Sequence, residues 1–236
     1  MKGNYNDIVD VILTLIEDDE LRESIAVAGS IVPYLVLNEE SEEVHTDFYV
    51  LVKGKKMDYV RDKLKELSKE YDFNISSDSL KYTKNDCGFK IKYQSTTIGF
   101  FPYTLIDYNL TIKTYSINVE NMQIKLKTKV IPNISKSSVI RQIDFGKKRI
   151  RIMSPEFVLV EKEMRERQDS NPTEKTMKLL KKISDEVVLS ILRKNVVSTR
   201  VDIETKSLKK KDISLYLILI VVLISLLVIA YICFKK

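Results

Sequence analysis

Residues 27–52, VAGSIVPYLVLNEESEEVHTDFYVLV, put a Gly29-Ser30 turn ahead of a helix-like run and a lone Asp47 on the strand-like run that follows. Both features belong to phosphate chemistry. A Gly-Ser turn at a helix N-terminus offers backbone N–H groups to phosphate oxygens. Carboxylates at i and i+2 of a strand point the same way and can share a divalent metal, which neutralises phosphate charge and activates an attacking hydroxyl. Two residues after Asp47 stands Tyr49, so one carboxylate occupies a place where that chemistry asks for two. Other chemistries lack their residues. His45 is the only histidine, which argues against a Cys/His zinc site, and it reads as an exposed residue. Cys87 and Cys233 are the only cysteines, which excludes a disulfide framework and fits a reducing compartment. No P-loop, dinucleotide fingerprint or nucleophile elbow occurs.

The elements that must position these residues follow from hydrophobic spacing. Ile8, Val9, Ile12, Leu13, Leu15 and Ile16 predict an amphipathic helix over residues 4–18. Ile25–Val27 reads as a short strand, Gly29-Ser30 opens a second helix carrying Ile31, Tyr34 and Leu35, and Val44–Val52 is a stronger strand. Residues 55–71 form a charged amphipathic helix. Beyond Tyr71 the runs FNISS, GFKIKYQ, TTIGFFPYTLI, LTIKTY, IKLKTKVI and VIRQIDF alternate and are separated by turn residues. VIRQIDF-GKK-RIRIM reads as a hairpin turning at Gly146. Ser154-Pro155-Glu156 starts a helix, with Ser154 as cap and Pro155 at the first position, running to about Arg167. Asn171-Pro172-Thr173 opens another, to about Arg193. This order predicts an α+β domain over residues 1–194, a mixed sheet flanked by helices.

At Gly29-Ser30 and TDFYVLV the chain resembles the nucleotidyltransferase superfamily, particularly its compact bacterial members of the abortive-infection type. Their pattern is a hydrophobic residue, Gly-Gly/Ser, a helix, then Asp-hydrophobic-Asp/Glu on a strand, with a third carboxylate on a later strand. RIRIMSPEFVLVEKEMRER, residues 149–167, followed by NPTEKTMKLLKKI, is similar to the family's downstream segment. The resemblance implies that Gly29, Ser30 and Lys162 bind a nucleotide and that Asp47 is the catalytic, metal-binding carboxylate. An active member would need Mg2+ and a nucleoside triphosphate. The departures are Tyr49 in place of the second carboxylate, Gly99 at the best-aligned position of the third, and a long separation between Ser30 and Asp47. Together they imply a degenerate, nucleotidyltransferase-like module that binds or regulates. One alternative is an active Mg2+-dependent transferase modifying a protein, RNA or small acceptor, with Asp107 or Asp86 as substitute ligands. Another is a non-enzymatic membrane adaptor on an unrelated α+β fold.

The 236 residues, 44% hydrophobic and 31% charged, suit one medium domain with an appendage. A net charge of +6, spread along the chain, does not by itself argue for nucleic acid. Ile213–Phe234 carries no charge, and as a helix it would reach about 33 Å, enough for a hydrocarbon core of about 30 Å. The expectation is one transmembrane helix over residues 213–234, preceded by a Lys-rich juxtamembrane linker over residues 195–212. Lys206, Lys209, Lys210 and Lys211, set against Lys235 and Lys236, place the domain on the cytoplasmic side and against anionic lipid headgroups. Asp7, Asp10 and Glu17 break the N-terminal apolar run, so it does not read as a secretory signal. The arrangement resembles a tail-anchored, single-pass membrane protein.

Overall fold

The computed structural model describes residues 5–45, 48–69, 71, 73–75, 88–94, 96–118, 123–166 and 174–207. The first layer of the fold is helical: α1 (Tyr5–Leu15) and α2 (Asp19–Ser24) lead into β1 (Ile25–Ala28). Asp18 caps α2 by accepting from the Leu21 N–H. Next come α3 (Val32–Leu37), β2 (Tyr49–Lys53), a 3-10 turn (Gly54–Lys56), α4 (Met57–Leu67) and β3 (Phe73–Ile75). Four strands follow: β4 (Phe89–Tyr93), β5 (Thr96–Ile106), β6 (Asn109–Asn118) and β7 (Gln123–Ile131). A short helix, α5 (Lys136–Val139), precedes the hairpin β8 (Ile140–Phe145) and β9 (Lys148–Met153). Then α6 (Pro155–Glu166), α7 (Glu174–Ile183), α8 (Glu186–Val197) and β10 (Arg200–Ser207) complete the described chain.

The described strands form one ten-stranded mixed sheet with the spine β10-β7-β6-β5-β2-β1-β9-β8, and β3-β4 branching from β5. β2 lies between β1, which is antiparallel to it, and β5, which is parallel. Ile25–Ala28 and Val50–Val52 are buried along their whole length, as apolar strands covered on both faces must be. β5 is long enough to pair with β4 through Thr96–Phe100 and with β6 through Tyr103–Ile106.

Several expectations hold in detail. The hairpin turns at Gly146, whose φ of +59° lies in the left-handed region glycine tolerates. Ser154 caps α6, its hydroxyl accepting from the Phe157 N–H at 3.2 Å. Others are corrected. Residues 174–197 form two helices, because Asp185 caps α8 through the Val187 and Val188 N–H groups while its own N–H donates to Glu156. The Lys-rich linker is not wholly a linker: residues 200–207 pair throughout with residues 123–130, so the sheet extends to Ser207. Alternation in RVDIETKS accounts for this, placing Val201 and Ile203 on one face.

The expected fold class is corrected at its C-terminal end. The described chain is α+β with a large mixed sheet, and no described helix is long and apolar enough to cross a membrane. Residues 213–234, where the transmembrane helix was expected, lie outside the described residues, as do Lys209, Lys210 and Lys211.

Candidate functional site

The Gly29-Ser30 turn sits where β1 leaves the sheet. Gly29 has φ +90°, a conformation that side-chain-bearing residues rarely adopt. Its carbonyl accepts from the Val32 N–H at 3.2 Å, which closes the turn before α3 begins. Ser30 does not cap that helix; Ile31 holds the cap position without a side-chain hydrogen bond. Instead the Ser30 hydroxyl meets Nδ1 of His45 at 2.9 Å. The expectation of an exposed His45 is therefore corrected, since the residue is buried and stands edge-on to Tyr34 with ring centres 5.2 Å apart. Buried polar groups need partners, and Ser30 provides one. Tyr34 in turn donates to Glu43 at 3.0 Å, and burial pushes its phenol above the ordinary range. Thr176 of α7 donates to the same carboxylate at 3.2 Å, so the segment before β2 is tied down from two sides.

Beside this turn the sheet brings together two of the strand positions that the resemblance singled out, Tyr49 and Gly99. Ala28 of β1 pairs with Tyr49 of β2, and Tyr49 pairs with Gly99 of β5. Asp47 and Asp86 lie outside the described residues. Asp107, the other substitute, sits in the β5–β6 turn with φ +49°. At about 3.3 Å per residue, the strand carries it roughly 25 Å from Gly99, so it cannot share a cation with this corner.

The corner itself is filled by aromatic rings. A Cβ at Gly99 would stand 2.6 Å from Cε2 and 2.8 Å from Cζ of Phe101, so the Phe101 ring occupies the space a side chain at position 99 would use. Tyr49 meets that ring edge-on, centroids 5.9 Å apart, and Tyr115 meets it from another direction at 6.1 Å. Such edge-to-face contacts add about 0.5–1.5 kcal/mol per pair beyond burial.

A carboxylate does reach this place, from α6 rather than from the sheet. Glu161 Oε2 accepts from the Tyr49 hydroxyl at 3.1 Å, and Oε1 accepts from Lys129 Nζ at 2.6 Å. The residue is 9% exposed. Sequence reasoning passed over Glu161 in favour of its neighbour. The only signal in the sequence was the apolar run Phe157–Val160 just before it; in the structure Pro155–Lys162 is buried residue after residue, so a charge in that run must find a partner inside the protein. Lys162 is likewise buried, on the helix that packs against α3.

The described residues at this corner do not suit a hard divalent cation. The oxygen ligands of Mg2+ are carboxylates, carbonyls and water. Here one carboxylate is engaged by a tyrosine and a lysine, and the strand position paired with that tyrosine is a glycine under a phenyl ring. Among the described residues no three His, Cys, Asp or Glu side chains gather as a metal site.

Further along the same sheet face, Tyr103 of β5 is held by Arg151 of β9, whose Nη2 donates to the phenol oxygen at 3.0 Å. Burial raises the Tyr103 phenol above its ordinary range, with Arg151 opposing the rise. The face thus carries one tyrosine committed to a carboxylate and another to a guanidinium. No family model, curated protein or solved structure matches this chain.

Proposed function

We propose that the domain is a nucleotidyltransferase-like module that has lost metal-dependent transfer and acts by binding, with a nucleotide as its ligand at Gly29, Ser30 and Lys162. The observation that carries the reading is the filled corner. A parallel β2–β5 pair puts Gly99 beside Tyr49, where paired carboxylates would hold metal, and Phe101 stands over the glycine. On this reading, packing stands where the resemblance would put ligand chemistry, beside the turn, the strand order and the α6 segment that suggested it. The reading with active transfer loses Asp107 as a substitute ligand, because that residue belongs to a distant turn, while Asp86 lies outside the described residues.

Full-length chain incubated with Mg2+ and labelled nucleoside triphosphates should transfer no nucleotide to itself, to RNA or to small acceptors. Calorimetry should detect nucleotide binding that Lys162→Met weakens at least tenfold. Mg2+-dependent transfer abolished by Asp47→Ala would overturn the proposal. Placement at a cytoplasmic membrane face belongs to the same proposal, resting on the lysines at 206 and 209–211 and the uncharged residues beyond them. Basic clusters of this kind favour anionic headgroups. Flotation with phosphatidylserine vesicles but not with phosphatidylcholine vesicles is the expected outcome for the headgroup contact.

A further inference from the structure

At the opposite end of β2 from Tyr49, the same sheet face carries a group of cations. Lys53 is the last residue of β2 and pairs with Tyr103 of β5, so the two side chains share a face. Arg151 of β9 reaches the same place: Nη2 donates to the Tyr103 hydroxyl at 3.0 Å, and Nη1 donates to the Glu23 carbonyl. Lys136 arrives from α5. Burial holds the Lys53 ammonium below its ordinary range, and the like charges of Arg151, Lys136 and Lys56 lower it further, with Glu23 opposing.

The group is short of carboxylates. Arg151 is 7% exposed, yet its two hydrogen bonds go to neutral oxygens, a carbonyl and a phenol. Buried charges are ordinarily paired. Lys56 is matched by Glu20, whereas neither Lys53 nor Lys136 forms an ion pair among the described residues. With the Lys56–Glu20 pair set aside, Lys53, Lys136 and Arg151 stand against Glu23, the one carboxylate among the charges that act most strongly on Lys53. Gathering like charges costs stability, and an anion settling among them removes the cost. The group is also separate from the Gly29 turn: Lys53 lies four residues along β2 from Tyr49, roughly 13 Å at about 3.3 Å per residue.

We propose that Lys53 and Lys136, backed by Arg151, bind a doubly charged phosphate group of the kind a phosphate monoester carries. Half-buried Lys53 and exposed Lys136 meet the phosphate oxygens directly, and buried Arg151 adds its field. Charge-assisted hydrogen bonds from ammonium groups to phosphate are short and strong. Three cations against one carboxylate leave an excess that matches a dianion better than a single charge.

The test uses the full chain and two probes of one shape, methyl phosphate and the singly charged methyl sulfate, titrated by calorimetry at pH 8. Saturable one-to-one binding of methyl phosphate, at least tenfold tighter than that of methyl sulfate, is expected. Lys53→Met, which keeps the apolar stem and removes the charge, should weaken it at least tenfold, and Lys136→Gln at least threefold. In phosphate-free buffer the urea midpoint of Lys53→Met should equal or exceed that of the unaltered chain, because a repulsion is gone. A clear drop would make Lys53 a structural residue and overturn the proposal. A lipid headgroup can present the same dianion, so a second arm uses phosphatidate vesicles. Retention on them that Lys53→Met abolishes, without binding of methyl phosphate, assigns the phosphate to a lipid. Absence of both kinds of binding overturns the proposal, as does binding that survives Lys53→Met but is lost in Lys162→Met, which would belong to the Gly29 turn.

Discussion

The Gly29-Ser30 turn and the Tyr49-Gly99 corner are neighbours in the sheet, and the sequence treats them in opposite ways. At the turn a backbone requirement and a polar side chain stand together: Gly29 has a positive φ, and the Ser30 hydroxyl faces His45. At the corner the strands are paired in register but the side chains are aromatic, with Phe101 covering Gly99 and Tyr49 packed against it. Strand pairing depends on main-chain hydrogen bonds, which tolerate exchange of the side chains above them. Metal binding depends on two or three oxygen atoms, which do not survive such exchange.

Four measurements would sharpen or break that contrast. The largest effect is expected at the corner's central ring: Phe101→Ala should destabilise the domain by about 3–5 kcal/mol in urea unfolding, because it removes a buried aromatic from two edge-to-face contacts. A loss under about 1 kcal/mol would mean that the ring does not hold the corner together. Gly99→Asp should cost roughly 1–3 kcal/mol by overpacking against the same ring. Combined with Phe101→Ala the two costs should fall short of their sum, since the second change vacates the space the first needs. Additive costs would show that Phe101 does not occupy the position-99 site.

At the turn, Gly29→Ala should cost about 1–2 kcal/mol, the penalty for a Cβ in the left-handed region, with little dependence on Phe101. Strong coupling between positions 29 and 101 would show that turn and corner are one energetic unit.

The smallest effect is a baseline remote from both regions. Burial and the hydrogen bonds to Asp18 push the Tyr59 phenol up to about 12. Its folded value lies above its unfolded one, so the native state holds the proton more tightly. This contribution is complete below about pH 10 and is lost as pH rises towards 12. Tyr59→Phe should flatten the alkaline stability profile in that window, and an unchanged profile would exclude the Tyr59–Asp18 contact as its source.

Sequence reading reached much of the framework because local rules governed it. The Gly146 hairpin, the Ser154 cap and the α+β order each depend on residues close in the chain, where turn chemistry and periodicity operate. The β10 strand escaped notice because four of its eight residues are charged and its pairing partner lies seventy or more residues earlier. The break at Ser184-Asp185 was missed because its second anchor is Glu156, on another helix. His45 was misplaced for a similar reason, its partners Ser30 and Tyr34 lying before it on a different element.

For this protein, residue order alone determined which chemistries lacked their atoms: one histidine, two cysteines, and a tyrosine where a second carboxylate would be needed. Those are statements about composition and spacing, which folding cannot alter. Only the tertiary structure decided that Gly99 stands beside Tyr49, that Phe101 covers it, and that Glu161 arrives from α6 to meet Tyr49 and Lys129. Apart from the Phe101–Gly99 contact, two positions apart on one strand, each of those contacts joins residues dozens of positions apart. Their geometry follows from strand register and helix packing, which the chain acquires only when its core is assembled.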